Sequence, residues 1–261
     1  MPSRNRTSRT LRVLLVAASV GALAVGGGLV LSGYADASSD AKPEHRAFAL
    51  SGKALTVDDN DGDVRVQPAD VSGVQVTRWF DASTILGAKP SAAWSMEDGT
   101  LKLRTHCVGL ISHCSIRYEI LVPRDVAVTV SSGNGAVSAS GFATALKIDT
   151  GNGTVDVGDS TGDLTLGSDN GKVIGTGLRS RQVHAQSSNG QVRLGFAAVP
   201  DQVEGITHNG SVTVDLPPAT YKVTAETGNG RTRVDVPQDP RSGHVVTARS
   251  ANGSVTVRGA S

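Results

Sequence analysis

The sequence predicts an all-β chain, read as a β-solenoid of about 18–20-residue repeats behind an N-terminal hydrophobic helix. Stacked antiparallel hairpins or a β-sandwich would obey the same periodicity. Three observations carry the prediction. Asn-Gly recurs seven times at a near-constant spacing. Apolar residues alternate on both sides of every pair, the period of a strand with one buried face. Gly is 31 of 261 residues and aromatics only 3%, which suits a thin core of small side chains.

From the N-terminus, Arg4, Arg6, Arg9 and Arg12 precede an apolar stretch over residues 13–31. A basic flank, an apolar run and the small-residue triplet Ala35-Asp36-Ala37 form an export signal. Two fates are open: a single membrane span through 13–31 with its N-terminus in the cytoplasm, or cleavage near Ala37 and secretion. Leu31-Ser32-Gly33-Tyr34 resembles a lipobox with Tyr34 in place of the acceptor Cys, so no lipoprotein anchor forms at Tyr34. Residues 1–34 therefore read as signal peptide or single-pass anchor, 35–45 as a polar tether, and 46–259 as an extracytoplasmic β-repeat domain.

The repeat domain opens with Asp61-Gly62 and Asp98-Gly99, which fit the template with Asp replacing Asn. The full pairs are Asn134-Gly135, Asn152-Gly153, Asn170-Gly171, Asn189-Gly190, Asn209-Gly210, Asn229-Gly230 and Asn252-Gly253. Six residues before each Asn is Val or Leu, two before it Ser or Thr, and three after it Val or, once, Thr232. Asn-Gly supplies two residues tolerant of positive φ, hence a tight reversal or a solenoid corner. With degenerate copies between the first turns, about ten or eleven layers are expected. One such hairpin is marginal in water, and stacking is what buries its apolar side.

Chemistry is sparse. Cys107 and Cys114 are the only cysteines, and an even count in an exported chain predicts a disulfide, stapling a hairpin between strands near residues 101–105 and 115–122. His106 and His113 precede them, but neighbours on a strand face opposite ways, which disfavours a four-ligand metal site. The acidic run Asp58 to Asp63 does not fit a calcium loop: aligning Gly62 with the loop glycine puts Val57 and Pro68 at ligand positions. Ser168-Asp169-Asn170 and Ser39-x-x-Lys42 lack the Lys-Thr-Gly that would complete a penicillin-binding set. Gly-x-Gly at 133–135 and 151–153 has no third glycine or following helix for a nucleotide. Carboxylates for glycoside chemistry do not recur at one template position, since Asp149 aligns with Gly167, Gln186, Ile206 and Glu226. No catalytic, cofactor-binding or metal-binding residue is assigned, and Trp79, Phe80 and Trp94 read as core filling or capping ahead of ligand contact.

Without the four leading arginines, 21 basic residues face 24 acidic ones, and no basic stripe or aromatic platform offers a nucleic-acid surface. The Asn-Gly-x-Val-x-Val units, cleanest at Asn209-Gly-Ser-Val-Thr-Val and Asn252-Gly-Ser-Val-Thr-Val, together with Tyr118-Glu-Ile-Leu-Val-Pro-Arg-Asp-Val and the preceding cysteine pair, resemble the bacterial putative-adhesin β-strand-repeat family. That family is of unknown function and common in actinobacteria, and the resemblance spans roughly residues 46 to 259. It implies an envelope location and a non-enzymatic adhesive or interaction role, with an envelope protein or glycan as ligand. It supplies no catalytic residues. A carbohydrate-active β-helix enzyme and an envelope-stress sensor are the alternatives.

Overall fold

The computed structural model describes residues 42–84, 89–108 and 112–260. The expected signal or anchor of residues 1–34 and most of the tether lie outside them. Among the described residues no helix is long and apolar enough to cross a membrane.

The fold is a β-solenoid whose coils each give one strand to either of two sheets. Strand β1 (Glu44–Phe48) leads into the coil of β2 (Ala54–Asp61) and β3 (Asp63–Ala69). After β4 (Val74–Thr84) and β5 (Ser91–Glu97) come the coils β6 (Thr100–His106) with β7 (Ser112–Pro123), β8 (Ala127–Asn134) with β9 (Val137–Ser140), and β10 (Leu146–Asn152) with β11 (Val155–Gly158). Next are β12 (Leu164–Asn170) with β13 (Val173–Leu178), β14 (Gln182–Asn189) with β15 (Val192–Phe196), and β16 (Gln202–Asn209) with β17 (Val212–Leu216). The last are β18 (Lys222–Asn229) with β19 (Thr232–Asp235) and β20 (Val245–Asn252) with β21 (Val255–Gly259). Even-numbered coil strands form one sheet, β18-β20-β16-β14-β12-β10-β8-β2-β6-β5, and their partners the other, β1-β4-β7-β3-β9-β11-β13-β15-β17-β21-β19.

Among the described residues nine coils stand where ten or eleven were expected, because the chain between the first turns makes antiparallel strands instead of further coils. The stack also departs from chain order at both ends. The β20/β21 coil inserts between β16/β17 and β18/β19, and β2/β3 lies between β6/β7 and β8/β9. Between coils the register is in phase: Leu146 pairs with Val128 and Leu164, Val155 with Val137 and Val173. Like residues thus stack on like, and Val128, Ile148, Leu166, Val192, Val214 and Val257 are buried in one core. Burying each is worth about 1.5–3 kcal/mol against leaving it in water, which sets the inward parity of every strand.

The seven Asn-Gly pairs and Asp61-Gly62 join strands of different sheets and are corners, not hairpin turns. Positive φ is not their common requirement. Among the described residues Asp98 and Asp159 are the only non-glycines with positive φ, so no corner Asn has it. Glycine is needed at the corner because coils stack there closely: a Cβ on Gly153, Gly171, Gly190, Gly210, Gly230 or Gly253 would run into the carbonyl oxygen of the adjacent corner's glycine.

Asp98-Gly99 corrects the repeat reading. Both residues have positive φ (47° and 73°), and they connect β5 to β6 as an antiparallel hairpin within one sheet, Glu97 opposite Thr100. It is the two-residue reversal that favours φ > 0 at both positions, and no corner. The disulfide is present, with Cα atoms of Cys107 and Cys114 6.4 Å apart, but it does not staple a hairpin. Strands β6 and β7 belong to different sheets, so the bond clasps a corner that has lost its Asn-Gly. Both sulfurs are bonded to each other, which leaves neither as a thiolate for a metal.

Candidate functional site: a polar trough across one sheet

Three residue rows shape the ten-stranded sheet near the corners. The corner asparagines form a ladder: each side-chain amide donates to the next carbonyl, Asn152 to Asn134, Asn170 to Asn152, Asn189 to Asn170, Asn209 to Asn189, Asn252 to Asn209 and Asn229 to Asn252, at 2.8–3.0 Å. Behind it the buried hydroxyls of Ser168, Ser187, Thr207 and Ser250, and the half-buried one of Thr227, donate to corner glycine carbonyls of the neighbouring coil at 2.7–2.9 Å. These two rows hold successive corners in register. The signal for them was in the sequence: the turn residue is Asn in all seven full copies, although Asp serves a lone turn equally well.

The outward positions one and three residues before Asn carry small or polar side chains except at Ile206, and there the sheet is hollowed into a trough of about 790 Å³. It runs from Ser131 on β8 to Gly228 on β18, crossing six strand spacings, roughly 29 Å. In stack order, the row three before Asn reads Ser131, Asp149, Gly167, Gln186, Ile206, Arg249, Glu226. Gly167 leaves room for Asp149 to lean across it; a Cβ there would meet Asp149 Oδ1 at 2.5 Å. Asp169, Ser188 and His208 add hydrogen-bonding groups from the row one before Asn.

Charges in the trough are mostly balanced. Asp149 pairs with Lys147 (3.2 Å) and Glu226 with Arg249 (3.1 Å). The acids Asp149 and Glu226, template-equivalent in sequence, lie five strands apart, about 24 Å. Carboxylates that share acid/base work on a glycosidic bond stand about 5–10 Å apart. The trough thus offers donors and acceptors along a line; Asp149 and Glu226 make no such pair.

A second polar group lies inside the solenoid. Asp59 occupies the inward position that Ser or Thr fills in other coils, and accepts a hydrogen bond from Ser132 Oγ (3.2 Å). Among the described residues its Oδ1 has no hydrogen-bond partner, nor have Thr105 Oγ1, Tyr118 OH and Arg78 Nε. Burial pushes the Asp59 carboxyl up to about 7, against the lowering effect of Ser132, and burial likewise raises the Tyr118 phenol. No motif flagged this cluster, since each residue reads separately as a strand residue.

Trp94 packs half-buried against the core with the Arg78 guanidinium 4.3 Å above its ring, and Arg117 lies 4.9 Å over Trp79. Phe80 also packs on the core. These aromatics finish the stack and are not in the trough.

The sequence profile of the Toastrack DUF4097 family matches residues 49–260. The chain belongs to that family. Its β-solenoid is similar to a putative adhesin of Bacteroides fragilis NCTC 9343 (14% identity, 84% of this chain and 97% of that one, TM-score 0.47). It is also similar to a putative cell adhesion protein of Clostridium sporogenes ATCC 15579 (15% identity, 84% and 99%, TM-score 0.38). A putative adhesin of Parabacteroides distasonis ATCC 8503 is a third (11% identity, 84% and 98%, TM-score 0.41). No curated protein matches the chain significantly. Likeness at this level says nothing of what the Toastrack chain binds.

Proposed function

We propose that this Toastrack protein is a non-enzymatic surface binding protein whose trough receives an extended, hydroxyl-rich polymer such as a cell-envelope glycan. The supporting observation is the trough itself, an open channel about 29 Å long that crosses seven in-register strands. Asp149, Asp169, Gln186, Ser188 and His208 line it with groups that exchange hydrogen bonds with hydroxyls. Affinity spread over many weak contacts suits a polymer better than a compact ligand. The Arg-rich N-terminus and the apolar run 13–31 support export, as a single-span membrane anchor or, after cleavage near Ala37, as a secreted chain. The near balance of charge gives no attraction for nucleic acid.

The test is titration of the full-length chain, in mild detergent, with purified envelope polysaccharides, against the Gly167→Gln and Gln186→Ala variants. Saturable binding that tightens with oligomer size, is lost in Gly167→Gln and is weakened in Gln186→Ala supports the reading. Binding that survives a filled trough rejects it, and release of shortened oligomers would favour the carbohydrate-active alternative. N-terminal sequencing of the protein recovered from cells decides between span and cleavage.

A further inference from the structure

Asn-Gly is the dipeptide most prone to cyclise, since no Cβ on the glycine hinders its nitrogen from closing on the asparagine amide. All seven full corners share that dipeptide, so only the fold can set them apart. Inside the stack two contacts oppose the reaction. At Gly135, Gly190, Gly210 and Gly253 the N–H that must be lost donates to the carbonyl of a neighbouring corner at 2.8–2.9 Å. At Asn152 and Asn170 the side-chain amide is pinned at both ends, donating to one neighbour and accepting from the next. Its carbon cannot swing toward the glycine nitrogen without breaking both bonds.

Asn229-Gly230 has neither guard. It lies on the outermost coil, where β18 forms a ladder only with β20 and β19 only with β21. The segment Pro237–Asp239 covers that coil at Tyr221, ahead of β18, and the corner itself is exposed. Among the described residues the Gly230 N–H has no acceptor and Asn229 Oδ1 no donor; one bond, Asn229 Nδ2 to Asn252 Oδ1 at 2.9 Å, holds the side chain. Gly230 is also the exposed glycine of the set, the other six being half-buried. Asn134, at the far end of the ladder, likewise keeps a single side-chain bond, but Gly135 N donates to Asn152 O and the β2/β3 coil lies over it.

We propose that Asn229 is a site of spontaneous deamidation in the folded chain, with water as the co-reactant. The Gly230 nitrogen loses its proton to solvent and bonds to Asn229 Cγ. The Cγ–Nδ2 bond breaks, and that nitrogen leaves with a proton as ammonia. Water then opens the cyclic imide. Opening at Cγ leaves aspartate; opening at the main-chain carbonyl leaves isoaspartate, with the chain running through the side chain. No oxidation or reduction occurs. Either product lacks the amide that donates to Asn252 and sets a carboxylate against its carbonyl oxygen. The last corner is thereby loosened beside Gly228, at the end of the trough.

Peptide mapping by mass spectrometry tests this on the full-length chain in mild detergent, aged in warm, mildly alkaline buffer, with an enzymatic assay for isoaspartate. Asn229 is expected to convert roughly tenfold or more ahead of every other corner, yielding isoaspartate and aspartate together. In concentrated urea the seven corners should convert at similar rates, because the dipeptide is the same in each. Asn229→Gln should abolish the early isoaspartate and leave the remaining corners as they were. Similar rates at all corners of the folded chain, another corner converting first, or an Asn229 that persists while the unfolded chain converts would each overturn the proposal. So would the same lead for Asn229 in urea, or aspartate formed without isoaspartate.

Discussion

At the β6 end of the stack three antiparallel strands, a disulfide and a buried arginine cover the final coil; at the β18 end the coil stops with its valines half in water. Arg78 shows how the covered end is locked. Its guanidinium donates to Glu44 Oε2 on β1 (2.6 Å) and to the Ala92 carbonyl on β5 (2.7 Å) while stacking on Trp94, so one side chain ties both sheets together. Arg233, at the open end, pairs with its strand neighbour Asp235 and is exposed. A repeat stack must finish its last hydrophobic layer somehow, and here one end does so within the chain.

The largest expected effect tests that contrast directly. Arg78→Ala removes two charge-assisted bonds and a cation–π stack from a nearly buried site, while the exposed Glu44 is simply rehydrated, costing about 3–5 kcal/mol. Arg233→Ala should change monomer stability by no more than about 0.5 kcal/mol. Urea unfolding of both variants decides; equal costs would mean the two ends are held alike.

Asp59 sharpens the comparison from inside the covered end. Its folded carboxyl titrates near 7, above its unfolded value, so the folded state holds the extra proton between about pH 4 and pH 7. Stability from this group is therefore full below about pH 4 and is lost as pH rises to and through 7, on the order of 4 kcal/mol in all. Asp59→Ser, which restores the repeat's own residue, should raise stability at pH 8 by a similar amount and flatten the profile from pH 4 to 8. Denaturation midpoints measured across that range check it, and an unchanged slope would place the charge elsewhere.

Reducing Cys107–Cys114 frees a short loop at the same end. Closing a loop of about eight residues limits the unfolded chain by about 2.5 kcal/mol, so thiol treatment should lower the denaturation midpoint by that equivalent. Protection of β18 amides from hydrogen exchange should hardly change, because in a stack each coil depends on its neighbours.

What the sequence revealed follows from what repeats. Corners recur, so their spacing exposes the solenoid, the inward valines and the strand parity. The swapped coil order was hidden, because in-phase register makes β20 fit equally well against β16 or β18: Val246 meets Val203 and Val223 alike. Asp98-Gly99 was hidden for a related reason, since a corner and a hairpin turn use the same two residue types and differ only in where the next strand goes. The trough was half visible. Ser131, Gly133, Gly151, Gly167, Ser188 and Gly228 mark small outward positions before five of the corner asparagines, but a hollow appears only when seven strands lie side by side. Asp59, Thr105, Tyr118 and Arg78 meet from four separate strands, and no local pattern brings them together.

The smallest effect concerns the ladder that the repeat does encode. Asn170 donates to Asn152 and accepts from Asn189, whereas Asn229, on the outermost strand, donates to Asn252 alone within the ladder. Both are exposed, so water replaces most of what is lost: Asn170→Ala should cost about 1 kcal/mol and Asn229→Ala about half that. Asn170→Asp separates the ladder from the corner itself. An aspartate suits the turn but cannot donate to Asn152, so it should cost nearly as much as alanine if the ladder matters and nothing if only the corner does. The chain already makes the same distinction. Aspartate replaces asparagine at Asp61, which pairs in register with Asn134 at the acceptor end of the ladder, where the next coil has no corner asparagine left to receive an amide.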